Sequence, residues 1–322
     1  MVVRWGIIGC GDVARKRVAS AIQTTDNSQL LAACRRDPEA CHAFCDTFDI
    51  ERRYTSDAEL IADADIDAVY IATPVNLHLA QTLAAAAAGK HVLCEKPMAM
   101  SVAECEQMIA ACHAADVRLG IAYYRRFYPV VDRIAEVMQS GELGRVLAIR
   151  AITSTECNFA PGEDGHWRVV ADAGGGGALM DVGSHRLNLF LHLGGPISSV
   201  KAHCGTVAAS YEAEDCASLT MAFASGMQGM LECYFGTAID YDEFAVIGTA
   251  GHAHTNSLND GELTIRVGQQ QRVETWAPAA NFNAPLIADF VAAIEQHQPP
   301  RVSGEEGLET NAVIQAAYHD AK

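Results

Sequence analysis

Over the first 122 residues, short apolar runs alternate with longer segments of helical spacing. The runs at 2–8, 30–34, 69–72, 91–94 and 118–122 are rich in β-forming residues, and the stretches between them are long enough for crossover helices. That alternation predicts a parallel sheet. The helix starts carry local signals of their own. Asp37-Pro38 supplies an N-cap and a first-turn proline, and Ser101-Val102-Ala103-Glu104 reads as a capping box ahead of Met108 and Ile109.

After Tyr123 the pattern changes. It predicts a helix over 129–139, a strand over 146–154, a glycine loop at 174–177 and a helix running to Leu193. Leu219, Met221 and Phe223 then alternate with Ser218, Thr220 and Ala222, and runs at 227–235, 243–247, 263–267 and 272–276 continue the β series. His252-Ala253-His254 beside Gly251 reads as a turn. The expected fold is α/β: a doubly wound parallel sheet over 1–122, joined tightly to an α+β domain over 123–322 with a large, mostly antiparallel open sheet. Met230 and Tyr234 leave apolar positions on the face opposite Leu219 and Met221, so a homodimer or homotetramer is expected.

Length and composition narrow the class. A chain of 322 residues with 50% apolar content exceeds one ordinary core and suits two domains. No run approaches the roughly eighteen apolar residues a membrane span needs. Arg4 lies inside the first apolar run and Gly9 closes it, so no export signal is expected, and Ile7-Ile8-Gly9-Cys10 stands too near the start to be a lipidation site. A formal charge of −17 argues against a nucleic-acid surface and for small-molecule partners. The eleven cysteines are an odd number, and Cys34, Cys94 and Cys233 sit at core positions, which fits reduced thiols in a cytoplasmic protein. Cys41, His42 and Cys45 lack a second ligand pair, so no metal is expected.

The chemistry begins at Gly9-Cys10-Gly11-Asp12-Val13-Ala14, directly after the first apolar run. Glycines there allow a tight turn and close approach of a pyrophosphate, while the following helix offers free N–H groups and its positive end. This is the phosphate loop of a Rossmann dinucleotide-binding unit. An NAD-preferring site usually places an acidic residue about 20 positions further on. Here the second strand ends at Cys34 and is followed by Arg35 and Arg36, with Asp37 better suited to capping a helix. Two guanidiniums suit a ribose 2'-phosphate, so NADP(H) is the preferred cofactor expected, with NAD(H) possible.

Three further segments stand in a telling order: Thr73-Pro74-Val75-Asn76-Leu77-His78, then Gly89-Lys90-His91 leading to Glu95-Lys96-Pro97, then Gly175-Gly176-Gly177 leading to Asp181-Val182-Gly183-Ser184-His185. In order and spacing the chain resembles, over nearly its whole length, the glucose-fructose oxidoreductase and inositol dehydrogenase (Gfo/Idh/MocA) family. The resemblance implies hydride transfer between a nicotinamide and the carbonyl or hydroxyl carbon of a sugar, cyclitol or related diol. It places Lys96 against the substrate oxygen and the cofactor ribose, with Thr73, Pro74, His78 and Glu95 on the cofactor side. Asp181 becomes the companion of His185, either orienting the substrate hydroxyl or tuning the imidazole.

Physical reasoning agrees with this assignment. Lys96 follows the 91–94 strand, at the carboxyl end where doubly wound sheets bind ligands, and an ammonium there opposes charge developing on oxygen. Asp181 and His185 stand four apart in an expected helix, so both project from one face, and an imidazole titrates where a general acid/base should. Tyr124, Arg125 and Arg126, followed by Phe127-Tyr128-Pro129, match the family's segment in which one arginine helps bind substrate; Tyr124 and Arg126 are the contacts expected. His166-Trp167-Arg168 matches a rim segment with Trp167 as a contact, although a buried tryptophan beside a surface arginine accounts for it equally well. Asn188 stands where many members carry aspartate, which implies an altered substrate contact. Two competing readings are a redox-neutral, nicotinamide-dependent glycosidase and a non-catalytic cofactor-binding regulator. The arginine pair disfavours the first, and the joint presence of Lys96, Asp181 and His185 disfavours the second.

Overall fold

Strands β1 (Val3–Ile8), β2 (Ser28–Cys34), β3 (Arg52–Tyr54), β4 (Ala68–Ile71), β5 (His91–Cys94) and β6 (Leu119–Ile121) form one sheet in the order β3-β2-β1-β4-β5-β6, every pair parallel. Trp5, Ile7, Val69, Tyr70 and Leu93 are fully buried, as expected where both faces of a parallel sheet are covered. Strand order reverses between β1 and β4, which opens the ligand crevice of a doubly wound fold at their carboxyl ends. The edge strand β3 escaped the sequence reading because it is polar. Arg52 pairs with Asp63 at 2.7 Å, and the Tyr54 hydroxyl donates to the same carboxylate at 2.9 Å.

Both expected caps form. Asp37 accepts from the Ala40 N–H at 3.1 Å, and Ser101 accepts from the Glu104 N–H at 3.2 Å. Glu104 reaches back to the N–H of Met100 at 3.0 Å, one residue ahead of the cap.

The computed structural model describes residues 2–163 and 165–322, which divide into two compact units. The first runs to Tyr124 and also includes Ala279–Leu308; the second comprises Arg125–Pro278 and Glu309–Lys322. A single boundary near residue 122 therefore misses the return of 279–308 to the first unit. Within that unit, Phe290 of the helix Ala284–Glu295 packs on Trp5 with ring centroids 5.6 Å apart. Helical periodicity marks such a segment as amphipathic without saying which core it covers.

The second unit contains β7 (Val146–Thr155), β8 (Ile197–Gly205), β9 (Cys216–Phe223), β10 (Gln228–Phe235), β11 (Asp242–Gly248), β12 (Gly251–Thr255), β13 (Glu262–Val267) and β14 (Gln270–Thr275). They form a sheet ordered β14-β13-β12-β11-β7-β10-β9-β8, antiparallel throughout except for β7 with β10. His252 and His254 lie in β12 and not in a turn, because Ala253 between them is buried opposite Val246 and sets a strand's alternation. On the covered face Phe223 and Phe244 meet Phe190 of the helix Ser184–Gly194. The other face carries Arg150, Met230, Glu232, Tyr234, Ile247 and His254, all half-buried or exposed.

A buried ion cluster ties that helix to the sheet. Arg186, 1% exposed, pairs with Asp242 at the start of β11, and Asp242 also takes Arg125 at 3.3 Å and the Asn259 N–H at 3.3 Å. Burial alone would raise the Asp242 carboxyl, but Arg186 and Arg125 outweigh it and hold it below the usual range.

Asp242→Asn removes this counter-charge while Arg186 stays buried, so it is expected to cost about 3–5 kcal/mol in chemical denaturation. A depressed carboxyl contributes its full stabilisation above an unfolded value of about 4 and loses it as pH falls through the folded value. The gap between wild type and variant should therefore narrow on acidification. A gap constant down to pH 2 would show that the charge of Asp242 does not carry the effect.

Candidate active site

At Gly9 the chain turns with φ +98°, and a Cβ would come within 2.6 Å of the Ala72 carbonyl oxygen, so both conformation and space demand glycine. Gly11 is different: a Cβ there would meet no atom within 4 Å. The space over the loop is open at the point where the helix spanning 12–24 begins and presents its first N–H groups. Val13 is half-buried, Ala14 is buried beneath the loop, and the exposed Asp12 pairs with Lys16 at 3.1 Å. An open glycine cradle at a helix N-terminus fits a pyrophosphate. Arg35, half-buried at the end of β2, donates through Nη1 to the Cys10 carbonyl at 2.9 Å and so braces the loop, while Arg36 is exposed.

Lys96 stands just beyond β5, in a segment held from two sides. The Tyr70 hydroxyl donates to Glu95 Oε1 at 2.7 Å, and Glu95 Oε2 accepts the backbone N–H of Lys96 at 3.2 Å. Asn283 extends the chain, its amide 3.4 Å from the Tyr70 hydroxyl. Burial first, then the Glu95 charge, push the Tyr70 hydroxyl well above its ordinary range, so it remains a donor.

From the other side comes His78, 1% exposed. Its Nε2 lies 3.0 Å from the Thr73 carbonyl, and its Nδ1 lies 3.2 Å from the carbonyls of Pro97 and Met98. The resemblance implies a cofactor contact for His78; within this unit the ring lies between the Thr73-Pro74 loop and the Lys96-Pro97 loop. Burial lowers its pKa and favours the neutral ring, whose single N–H donates to one of the two loops while the ring packs against the other. Thr73 is fixed in turn by donating to Gln81 at 2.6 Å. Tyr124 stacks on Phe282 with centroids 6.2 Å apart, and the Arg17 guanidinium sits 5.1 Å from one ring and 5.3 Å from the other. Neither Tyr70, Asn283, Arg17 nor Phe282 was legible as a site residue, because each reads as an ordinary core or surface residue of its element.

In the second unit the glycine loop leads into a π turn, Leu179–Gly183, and then into the helix Ser184–Gly194. Asp181 lies in the π turn and His185, 7% exposed, follows it, so the simple α-helical spacing expected of the pair is replaced by a wider turn. Asp181 faces the Arg168 guanidinium at 3.6 Å, and that guanidinium stacks on Trp167 at 4.6 Å and on Phe159 at 5.4 Å. The Trp167-Arg168 segment and Asp181 thus share one corner, a link that sequence spacing does not encode. Asn188 is buried and donates to Thr310 at 3.2 Å. Of the two adjacent arginines, Arg125 bonds to Asp242 and to Asn259 at 3.1 Å, whereas Arg126 is buried in the turn that precedes the helix Pro129–Ser140.

Comparison with known proteins supplies a frame for these parts. Residues 3–123 match the GFO/IDH/MocA oxidoreductase family with its NAD-binding Rossmann fold, and residues 131–254 match the GFO/IDH/MocA C-terminal domain. The chain is 31% identical over 311 residues to 1,5-anhydro-D-fructose reductase of Ensifer adhaerens, covering 95% of this chain and 92% of that protein. It is 31% identical over 333 residues to D-xylose 1-dehydrogenase (NADP(+)) 2 of Haloferax volcanii, covering 99% and 97%. The crystal structure of aldose-aldose oxidoreductase from Caulobacter crescentus, complexed with glycerol, is similar with a TM-score of 0.90 and 29% identity, covering 100% of this chain and 98% of that one. With both family segments matched in order, and with a parallel sheet whose phosphate loop can only be glycine at Gly9, this chain belongs to the GFO/IDH/MocA family of oxidoreductases.

Proposed function

We propose that the protein is an NADP(H)-preferring oxidoreductase acting on the carbonyl or hydroxyl carbon of a sugar, cyclitol or related diol. The observation that carries this reading is the bracing of the backbone around Lys96 beyond β5, by Glu95 at the Lys96 N–H and by His78 beside the carbonyls of Pro97 and Met98. So much bracing suits a side chain that must stand at one place to act. A bound nicotinamide accepts or supplies the hydride. Lys96 opposes the negative charge that grows on the substrate oxygen. His185 takes or returns the hydroxyl proton through a ring nitrogen, and Asp181 keeps that exchange oriented. The sugar-like substrate class rests on the relatives, named for 1,5-anhydro-D-fructose, D-xylose and aldoses.

The preference for NADP(H) rests on the two arginines after β2. The acidic residue that follows them, Asp37, is occupied in capping the next helix. A panel of polyols, aldoses, ketoses and diols with both nicotinamides, read at 340 nm, tests the whole reading. Failure of every member to turn over with either cofactor would remove it.

Structure separates the two arginines. Arg36→Ala should weaken NADPH binding by about 1.5–3 kcal/mol and leave NADH nearly unchanged, because only a charge-assisted phosphate contact is lost. Arg35→Ala should weaken both, since its bond to the Cys10 carbonyl shapes the loop. Equal affinity of the wild type for NADPH and NADH in a fluorescence titration would sink the cofactor choice.

Lys96→Met and His185→Asn should each depress turnover by a factor of about a hundred to ten thousand while NADPH still binds. His185→Asn should also flatten any pH dependence near neutrality. Retention of most turnover by the His185→Asn protein would return the proton transfer to Lys96, acting through water.

The open face of the second sheet presents apolar and charged positions together, which fits a partner copy. Light scattering at micromolar concentration is expected to give a dimer or tetramer, and a monomer there would contradict this.

A further inference from the structure

The glycine run before Asp181 is enclosed by two residues that no motif includes. Glu214, in the segment leading into β9, is 8% exposed and sends its carboxylate to the start of the helix that spans 178–194. Its Oε2 accepts the Gly177 N–H at 3.0 Å, its Oε1 accepts the Leu179 N–H at 3.0 Å, and its carbonyl oxygen accepts the Ala178 N–H at 3.0 Å. Three consecutive N–H groups at a helix start, which have no acceptor within the helix, are thereby satisfied by one residue. Tyr318 donates its hydroxyl to Oε1 at 2.7 Å and holds the carboxylate from behind. The approach is so close that a Cβ at Gly177 would collide with the Glu214 carbonyl, and one at Gly176 with the Tyr318 hydroxyl. Next in sequence, Asp215 accepts from the N–H groups of Val207, Ala208 and Ala209 at 2.8, 2.7 and 2.7 Å, which anchors the segment from which Glu214 reaches out.

The helix needs holding because it begins with the π turn Leu179–Gly183. A π turn can revert to α-helix by a slip of one residue, and such a slip rotates everything ahead of it by about 100°. Beyond the turn, Arg186 is fixed by Asp242. Ahead of the turn, among the described residues, it is Glu214 that fixes the backbone on both sides of Ala178. Asp181 lies between these two anchors.

We propose that Glu214, held by Tyr318, is a positioning residue that sets the register of the π turn and thereby the stance of the Asp181 carboxylate. The proposal rests on the reading of Asp181 as the companion of His185 given above. A displacement of about 1 Å in a reacting group can cost a hundredfold in rate, so the effect of losing this hold is measurable.

The test uses the full chain with the substrate turned over fastest in the panel. Glu214→Gln keeps the shape but turns one acceptor oxygen into a donor. It is expected to lower kcat about tenfold to a hundredfold, leave NADPH affinity unchanged, and shift the pH profile of kcat/KM in the same direction as Asp181→Asn. The double variant Glu214→Gln, Asp181→Asn should be no slower than Asp181→Asn alone, and hydrogen exchange over 177–183 should speed up. Tyr318→Phe retains the carboxylate and should show the same pattern more weakly, which keeps the test available if Glu214→Gln does not fold. Additive losses in the double variant, or a pH profile identical to wild type, would overturn the positioning role while leaving the reading of Asp181 intact. Wild-type kcat and pH profile for Asp181→Asn would instead remove that reading, and the positioning role with it.

Discussion

Every strand end and helix end that carries chemistry in this chain leaves backbone groups that its own element cannot satisfy, and burying such groups unpaired costs free energy comparable to a lost hydrogen bond. The protein meets that constraint with side chains, several of them remote in sequence. Arg35 serves the Cys10 carbonyl, His78 faces the carbonyls of Thr73, Pro97 and Met98, Glu95 takes the Lys96 N–H, and Glu214 takes those of Gly177 and Leu179. Each contact restrains a loop, and the loops so restrained are the ones that bear the motif residues. Satisfying the backbone and presenting the side chains are one event here.

Charge follows the same logic. The chain carries 40 acidic residues against 23 basic ones, a balance unfavourable to a phosphate-rich ligand at long range. At the phosphate loop the balance is reversed locally, by Arg35 and Arg36 after β2 and by the positive end of the helix spanning 12–24. Salt screens charges more than about 10 Å away at ordinary ionic strength, so this local arrangement outweighs the net charge. Several buried carboxylates act as internal acceptors instead. Asp242 pairs with both Arg186 and Arg125, while Glu214 caps a helix and is itself pushed up in pKa by burial.

Much of the fold was legible because two simple rules cover it. Strands buried on both faces, such as β1, β4 and β5, read as unbroken apolar runs, and the caps at Asp37 and Ser101 are local. What stayed hidden depends on long-range pairing. β3 is polar because its arginines and Tyr54 meet acidic residues of the preceding helix and of the loop after the following one, and β12 hid behind two histidines whose alternation with Ala253 matters only beside β11. The candidate site is proposed from its motifs, at Gly9, Lys96, Asp181 and His185, where short spacings carry the signal. Its supports were not legible: Tyr70 to Glu95 spans 25 positions and Gly177 to Glu214 spans 37, and a glutamate before a strand looks like any solvated residue until the fold closes on it.

Two π turns, Ala14–Val18 after the phosphate loop and Leu179–Gly183 around Asp181, open the two helices that follow the principal motifs. A π turn gives up the optimal α-helical hydrogen bonding and persists only where the surroundings impose it. In the first helix Ala14 and Val18, at the two ends of the turn, are both completely buried, and the Arg35 bond to Cys10 holds the chain just ahead. In the second, the carboxylate of Glu214 holds the chain ahead and the Arg186–Asp242 pair holds it behind. The wider turn shifts the angular phase of the residues before it relative to those after it, so a loop and a helix face that an unbroken α-helix would aim apart can address one direction. That phase is invisible to any reading based on a period of about 3.6 residues, which is why a spacing of four between Asp181 and His185 does not give their relative geometry.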